Sequence, residues 1–387
     1  MSDRIEVAKA AAASLRGSAD RLAASRALVG FDGFIDTILD VVDRRESPER
    51  YRRVGTIEQF ARFAAAASGR SANAELVERE VRYGGNGPLL ASGLSGLGLA
   101  VTYIGAVGDP LDNGRVHRLF EPFAARCSRV LPVAEPARTE ALEFDDGKIM
   151  LGRSEALARV GWGTIVDRVG EAVLREVVRT SSLIGLVNWV MMPRVEEMWE
   201  GLAGILSGLG PEAGGAAPRR IIVDLADPAR RSDDDLVRAM DRLRALDSIA
   251  PVTLGLNLAE GERLAGVMGV AAGPGRLEER VPELTRTLRA ALRLTCVVVH
   301  PREGAGASDG TSTAWFEGPF TPCPRLSTGA GDHFNAGFAA GAVAGLPLEQ
   351  ALACGCAASG AYVRDAATPS LGRICALLED LPAPGTD

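Results

Sequence analysis

The chain has 387 residues, 47% of them hydrophobic, and can bury a large core as one α/β domain with insertions or as two smaller domains. Its formal net charge of −7 argues against a general binder of nucleic acid or anionic membranes. Lys9 and Lys148 are its only lysines, which leaves no G-x-x-x-x-G-K-[ST] loop and no V-A-I-K strand, and no apolar run approaches the roughly 20 residues that cross a membrane.

An amphipathic helix is predicted at the N-terminus, where Asp3, Arg4, Glu6 and Lys9 at helical spacing are unlike a signal peptide and suit a soluble, cytoplasmic protein. SRALVGFDGFIDTILDVV reads as a strand, a polar turn and a second strand. Arg44 to Arg82 is charged and irregular, with a helix at IEQFARFAAAAS. A glycine turn and a small-residue helix, YGGNGPLLASGLSGLGL, precede the buried strand AVTYIGAVG. DNGRVHRLFEPFAARC has helical periodicity, and ARTEALEFDDGKIMLG looks like a hairpin turning at Asp145-Asp146-Gly147. SSLIGLVNWVMM, RRIIVDLADP, PVTLGLNLAE and LTCVVVHPREG are apolar runs ending in polar residues, with helices such as RVEEMWEGLAGILSGL and DLVRAMDRLRAL between them. This alternation implies a mostly parallel sheet covered on both faces. Ligands bind such sheets beyond the carboxyl ends of the strands, which carry Asp36, Asn188, Trp189, Asp224, Asp227, Asn257, Glu260 and His300. GPEAGGAAPRR, around 210 to 220, and AAGPGR, around 271 to 276, have loop composition.

The six cysteines form no CxxC pair and the three histidines are scattered, so a zinc site is not expected and buried free thiols are. No G-x-G-x-x-G follows a strand, which removes the dinucleotide fingerprint. The most informative stretch is Ser327-Thr328-Gly329-Ala330-Gly331-Asp332, which opens the helical run HFNAGFAAGAVAG. Glycines in the first turn of a helix leave its N–H groups open to an anion, and Asp332 places a carboxylate beside it. An anion cradle with an adjacent base is what phosphoryl transfer to a hydroxyl requires, although an N-capping aspartate in a glycine turn gives the same pattern.

Three motifs occur in order: Gly84-Gly85-Asn86-Gly87 at a helix start, Asn257-Leu258-Ala259-Glu260 at a strand end, and Gly329-Ala330-Gly331-Asp332. Together they resemble the ribokinase-like carbohydrate kinases, the PfkB family, from about Ala27 to the last helix. The resemblance implies a three-layer sandwich around a mostly parallel sheet, as a single domain over 1–387 with a small β-lid inserted at about 37–83 and 133–155. It implies ATP and Mg²⁺ as cofactors and a sugar-like acceptor. Asp332 would be the general base, and Gly329, Ala330 and Gly331 the backbone anion hole. Asn257 and Glu260 would organise Mg²⁺ through water, with Thr328 also on the nucleotide side; taken alone, Asn257 and Glu260 read rather as a helix capping box. Asp36, with Asp32 as a competitor, would read sugar hydroxyls beside Gly84, Gly85 and Asn86. A homodimer through the lid is compatible with the family.

The chain departs from the family pattern on the acceptor side. Leu89 stands at the asparagine position of GGxxxNxA and cannot hydrogen-bond a sugar, which puts ordinary ribose or fructose recognition in question. Leu326-Ser327 replaces the usual Asp-Thr, and D-x-N-x-R survives only loosely from Asp224 to Arg230. Arg153 and Arg302 are candidate phosphate contacts and Trp189 a candidate ring platform, each against the plainer reading of a solvated arginine or a core tryptophan. Two alternatives stay open: a kinase of the same fold for a nucleoside or vitamin-like alcohol or with ADP as donor, and a non-catalytic sugar- or nucleotide-binding protein. A donor and acceptor screen separates them.

Overall fold

The computed structural model describes residues 2–112, 114–209, 219–271 and 273–386. The loop expected around 210 to 220 falls mostly outside these residues. Among the described residues the strands are β1 (Arg26–Phe31), β2 (Phe34–Arg45), β3 (Tyr51–Arg53), β4 (Leu76–Gly84), β5 (Ala100–Gly105), β6 (Arg129–Pro132) and β7 (Ala137–Phe144), then β8 (Gly147–Arg153), β9 (Leu183–Val187), β10 (Arg220–Asp224), β11 (Val252–Leu256), β12 (Cys296–Val299), β13 (Gly304–Ser308) and β14 (Thr313–Glu317).

Nine of them form one sheet in the order β14-β13-β12-β11-β10-β9-β1-β5-β6. The pairs from β12 through β6 are parallel, and β13 and β14 add an antiparallel hairpin at one edge. β9 through β12 are buried along almost their whole length, because helices cover both faces and leave no polar side for alternation. One face packs the helices Ser2–Gly17, Asn86–Gly96, Ala330–Ala344, Leu348–Asp365 and Leu371–Glu379 around Leu90, Phe334 and Leu352. The opposite face packs Glu171–Thr180, Val195–Gly208, Asp233–Asp247, Leu258–Val267 and Leu277–Leu292 around Trp199, Leu243 and Leu288. Strand order reverses at β1: the chain first grows outward through β5 and β6, then returns to β9 on the other side. Such a switch point opens a crevice at the carboxyl ends of the strands.

β2 does not join this sheet. It leaves β1 after the two-residue link Asp32-Gly33 and pairs with β4 and β7 in a second sheet that also holds β3 and β8. This sheet has its own small core of Leu39, Val41, Val54, Leu142 and Phe144 beneath the helix Ile57–Ala66, whose Thr56–Gln59 capping box fixes its start. The hairpin expected at Asp145-Asp146-Gly147 forms between β7 and β8. DNGRVHRLFEPFAARC is corrected: only a 3₁₀ turn (Arg118–Phe120) and a short helix (Glu121–Ala124) form. Pro122 has no N–H and sits in the first turn of that short helix, where none is needed; a helix running on through it would lose the bond to the Arg118 carbonyl.

The helix Ala330–Ala344 is held by close backbone approach. A Cβ on Gly93 would lie 2.6 Å from Ala336 Cβ, one on Gly337 would overlap the Cys354 carbonyl, and one on Gly355 would come 2.7 Å from the Phe334 ring. Cys354 and Cys356 point to different faces of the helix Leu348–Asp365, yet both are buried as free thiols, because that helix is enclosed on nearly every side. Trp189 lies fully inside the core, its Nε1 donating to Glu196 at 3.1 Å, which settles it as a packing residue.

Candidate active site

Three carboxylates converge where β1, β2, β10 and the Ala330–Ala344 helix meet. Gly329 caps that helix with φ +92°, a left-handed conformation in which glycine avoids strain. A side chain there would also meet Leu89 at 2.8 Å and the Tyr362 hydroxyl at 3.0 Å. Leu89 therefore packs against the Gly329 turn from one side. From behind, His333 accounts for the turn's shape: its Nδ1 is 2.8 Å from the Gly329 carbonyl and so carries the proton. Its Nε2 is then free to accept from the Thr368 hydroxyl at 3.2 Å. Burial pushes His333 down to about 4, so this imidazole stays neutral while its ring stacks on Tyr362. Tyr362 in turn donates to the Thr328 carbonyl at 2.9 Å.

Asp332 lies in the first turn of the helix and is buried. Desolvation raises its carboxyl well above the usual range, and the nearby Asp224 and Asp32 carboxylates raise it further. The opposing contribution is a hydrogen bond from Asn86 Nδ2 to Asp332 Oδ1 at 3.0 Å. Asp224, at the end of β10, accepts from Asn335 Nδ2 at 2.7 Å and from the Ala226 N–H at 2.8 Å. Asn335 stands three residues after Asp332, on the same face of the helix, a spacing that could have marked it in the sequence.

Asp32 is completely buried in the link between the two sheets, and both its oxygens are engaged. Oδ1 accepts the Gly87 N–H at 2.8 Å; Oδ2 accepts the Asn86 N–H at 3.0 Å and the Asn188 amide at 2.6 Å. The first two donors are unpaired N–H groups of the helix Asn86–Gly96, so Asp32 acts as its capping anion from a distant strand. Asp36, buried on β2, instead bonds Thr139 on the neighbouring β7, with Arg82 and Lys148 as the charges around it. Burial raises its carboxyl and those contacts oppose the rise. Gly84 faces it so closely that any side chain there would overlap the carboxylate.

Lys148 was used in the sequence reading only to exclude other mechanisms. On β8 it reaches across from the second sheet and donates to Thr328 Oγ1 at 3.1 Å, beside Gly329, with Glu143 at 3.7 Å. Arg153 is exposed and pairs with Glu140 on its own sheet. Arg302 lies over the Phe320 ring, in the wall of a cavity of ≈ 610 Å³ on the far side of the turn. Ser327, Ala330, Gly331, Asn257, His300 and Ser359 also line this cavity. Its walls thus include the 327–331 turn, the strand-end Asn257 and the helix Leu348–Asp365.

Asn257 and Glu260 do close a capping box: Asn257 Oδ1 accepts the Glu260 N–H at 3.0 Å and Glu260 Oε2 accepts the Asn257 N–H at 2.8 Å. Yet Glu260 is buried, and desolvation together with the Asp224 and Asp227 charges pushes it up to about 8. A buried acid beside two others is costly when ionised and invites a cation. Among the described residues no three His, Cys, Asp or Glu side chains are arranged to hold a metal directly. The hard oxygen donors present fit Mg²⁺, which retains several waters and takes few direct protein ligands.

A pH dependence of stability follows. Glu260 is raised from 4.5 to about 8, so the folded state holds this proton more tightly than the unfolded chain. That contribution is complete below about pH 4.5 and is lost as pH rises towards 8. Asp32, raised to about 6, acts in the same direction. Buried His333 and His300, both pushed down to about 4, act the other way up to about pH 6.5, so the ligand-free protein is expected to melt at falling temperatures between about pH 6.5 and 8, and Glu260→Gln, which keeps the capping box, to flatten that slope. An equally steep slope in the variant would assign the loss to other groups.

The fold is the ribokinase fold. It is shared with the ribokinase of Arabidopsis thaliana solved with ribose and ATP (TM-score 0.61, 17% identity, 92% of this chain and 98% of that one). A carbohydrate kinase from Agrobacterium tumefaciens is similar (TM-score 0.60, 20% identity, 92% and 98% covered). The model of the prokaryotic ketohexokinases matches residues 4–381. The ketohexokinase of Haloferax volcanii is 31% identical over 359 residues, 91% of this chain and 90% of that protein. The protein is a carbohydrate kinase, a phosphotransferase with an alcohol acceptor. It belongs to the prokaryotic ketohexokinase family. No helix among its described residues is long and apolar enough to cross a membrane.

Proposed function

We propose that the protein transfers the γ-phosphate of ATP to a hydroxyl of a ketohexose, with Asp332 as general base. The observation that carries this reading is the placement of Asp332 in the first turn of the Ala330–Ala344 helix, between buried acceptor-side carboxylates and the ≈ 610 Å³ cavity. The N–H groups of Gly329, Ala330 and Gly331 would meet the charge on the transferring phosphoryl group, backed by the helix dipole. Nucleotide would lie along the cavity, with Thr328 and Lys148 at its phosphate end. Mg²⁺, held through water by Asn257 and Glu260, would neutralise phosphate charge when bound.

On the acceptor side we assign hydroxyl reading to Asp36. Both oxygens of Asp32 serve protein donors, whereas Asp36 bonds a single threonine hydroxyl and retains acceptor capacity. Asp32 and Gly85 then hold the turn that brings backbone close to the sugar. The second sheet acts as the lid, excluding water that would compete for the phosphoryl group. Leu89 packs on Gly329 and takes no part in recognition, so the ketohexose reading rests on the family relationship and on Asp36 together.

The test is phosphorus NMR with ATP or ADP, Mg²⁺ and separate pools of ketohexoses, aldoses, nucleosides and polyols. A new phosphate ester in the ketohexose pool with ATP is expected. An ester made only from another pool, or only with ADP, would overturn the acceptor or the donor assignment respectively.

A further inference from the structure

The side-chain amide of Asn86, at the Gly84-Gly85 turn, reaches the Asp332 carboxylate. Its Nδ2 donates to Asp332 Oδ1 at 3.0 Å, across 246 residues of sequence, while its backbone N–H donates to Asp32 Oδ2 at 3.0 Å. Asn188 anchors the same Asp32 oxygen at 2.6 Å. A continuous chain of hydrogen bonds therefore runs from β9 through Asp32 and Asn86 to Asp332. Its two central links are well held: Asp32 is fully buried, and Gly85, with φ +106°, caps the helix that begins at Asn86.

We propose that Asn86 is a positioning residue of the phosphoryl transfer, which occupies one oxygen of Asp332 and so presents the other to the acceptor hydroxyl. The proposal rests on the kinase reading above and adds to it which atom of the base is free. An amide suits the task because it donates without carrying charge; lysine or arginine there would form an ion pair and weaken the base. It is also short enough that its backbone and side chain report to different carboxylates. Holding a base within reach and in orientation is part of the advantage of a preorganised site.

The groups facing Asp332 are Asp32 from the β1–β2 link, Asp224 from β10 and Tyr362 from the helix Leu348–Asp365. Lys148 comes from the lid to the adjacent Thr328. The two carboxylates disfavour ionisation of the base, and the Asn86 amide opposes them. Removing the amide leaves the base harder to deprotonate, so the acid limb of the pH–kcat profile moves to higher pH.

The experiment measures kcat, KM and the pH–kcat profile of wild type, Asn86→Ala and Asn86→Asp on whichever acceptor the wild type phosphorylates, with ADP binding by calorimetry. Asn86→Ala is expected to lower kcat by about 10- to 100-fold and shift the acid limb upward, with acceptor KM and ADP affinity changed less than about threefold. Asn86→Asp, of the same size, is expected to shift the limb further, since a carboxylate then faces Asp332. A normal kcat and normal pH profile with a raised acceptor KM would overturn the proposal and assign the amide to the sugar. Loss of ADP binding in both variants would make Asn86 merely structural and overturn it too. A wild type that makes no ester fails at the earlier step, the kinase reading, and removes the positioning role with it.

Discussion

Asp332→Asn is expected to lower kcat by about 10² to 10⁴ and to leave ADP affinity within about threefold of wild type. The substitution keeps shape, burial and the site of the Asn86 contact, but it removes the group that takes the hydroxyl proton. It also removes one of several mutually repelling buried carboxylates, since Asp224 and Asp32 both disfavour the charge on Asp332. The variant should therefore melt no lower than wild type at neutral pH, as expected of a residue retained for activity at some cost to stability. Single-turnover ester formation, ADP calorimetry and a melting curve together check this. Wild-type turnover in the variant would reassign the base; a lowered melting temperature with lost ADP binding would make Asp332 a structural cap.

The second large effect is expected at Asp36. Asp36→Ala deprives the acceptor of its proposed carboxylate partner, leaves the Thr139 hydroxyl without its acceptor and removes a negative charge near Arg82 and Lys148. Hydrogen bonds to a charged group are worth about 1.5 to 3 kcal/mol, so one or two lost contacts should reduce kcat/KM for the acceptor by about 10- to 10⁴-fold. The loss should fall mainly on acceptor KM, with the nucleotide KM nearly unchanged, because Asp36 does not line the ≈ 610 Å³ cavity proposed for nucleotide. Steady-state kinetics in both substrates separate these terms. An equal rise in both KM values would mean that the variant disturbs the lid rather than the acceptor contact.

Much of the architecture was legible because it rests on patterns that local physics enforces. Uninterrupted apolar runs such as IIVD and VTLGL can exist only where both faces of a strand are covered, and they became β10 and β11. The hairpin of β13 and β14 was missed for the complementary reason: Gly304-Ala305-Gly306-Ala307-Ser308 has the composition of a flexible loop. It is a strand because β12, β14 and the helix Leu277–Leu292 enclose it, a tertiary demand that propensity does not carry.

The site divides in the same way. The Gly329–Asp332 turn could be read because close backbone approach demands small residues there, and the demand is written at consecutive positions. Asn257 and Glu260 could not be resolved by spacing alone, since a capping box and a polar cluster at a strand end use the same interval; the structure forms the box and also buries the carboxylate. Lys148 and Thr328 lie 180 positions apart and meet only because the second sheet folds back over the first. The partner of the Asn86 amide was hidden likewise: a polar side chain beside a glycine turn suggests a ligand contact, and only the fold reveals that a carboxylate is already within reach.

The glycines and alanines that seat the Ala330–Ala344 helix against its neighbours divide the protein's capacity for change. Positions such as Gly93, Gly337 and Gly355 have no room for a larger residue, so lineages and laboratory libraries alike should find the phosphoryl-transfer machinery almost immutable. Asp36, Thr139 and Lys148 are carried by another sheet with a separate small core. Apart from the Lys148 contact to Thr328, substitutions there can accumulate with little effect on the packing of the Ala330–Ala344 helix. New acceptors should therefore arise by remodelling β2, β7 and β8, and a mutagenesis campaign confined to those strands should yield altered sugar preference more often than dead enzyme.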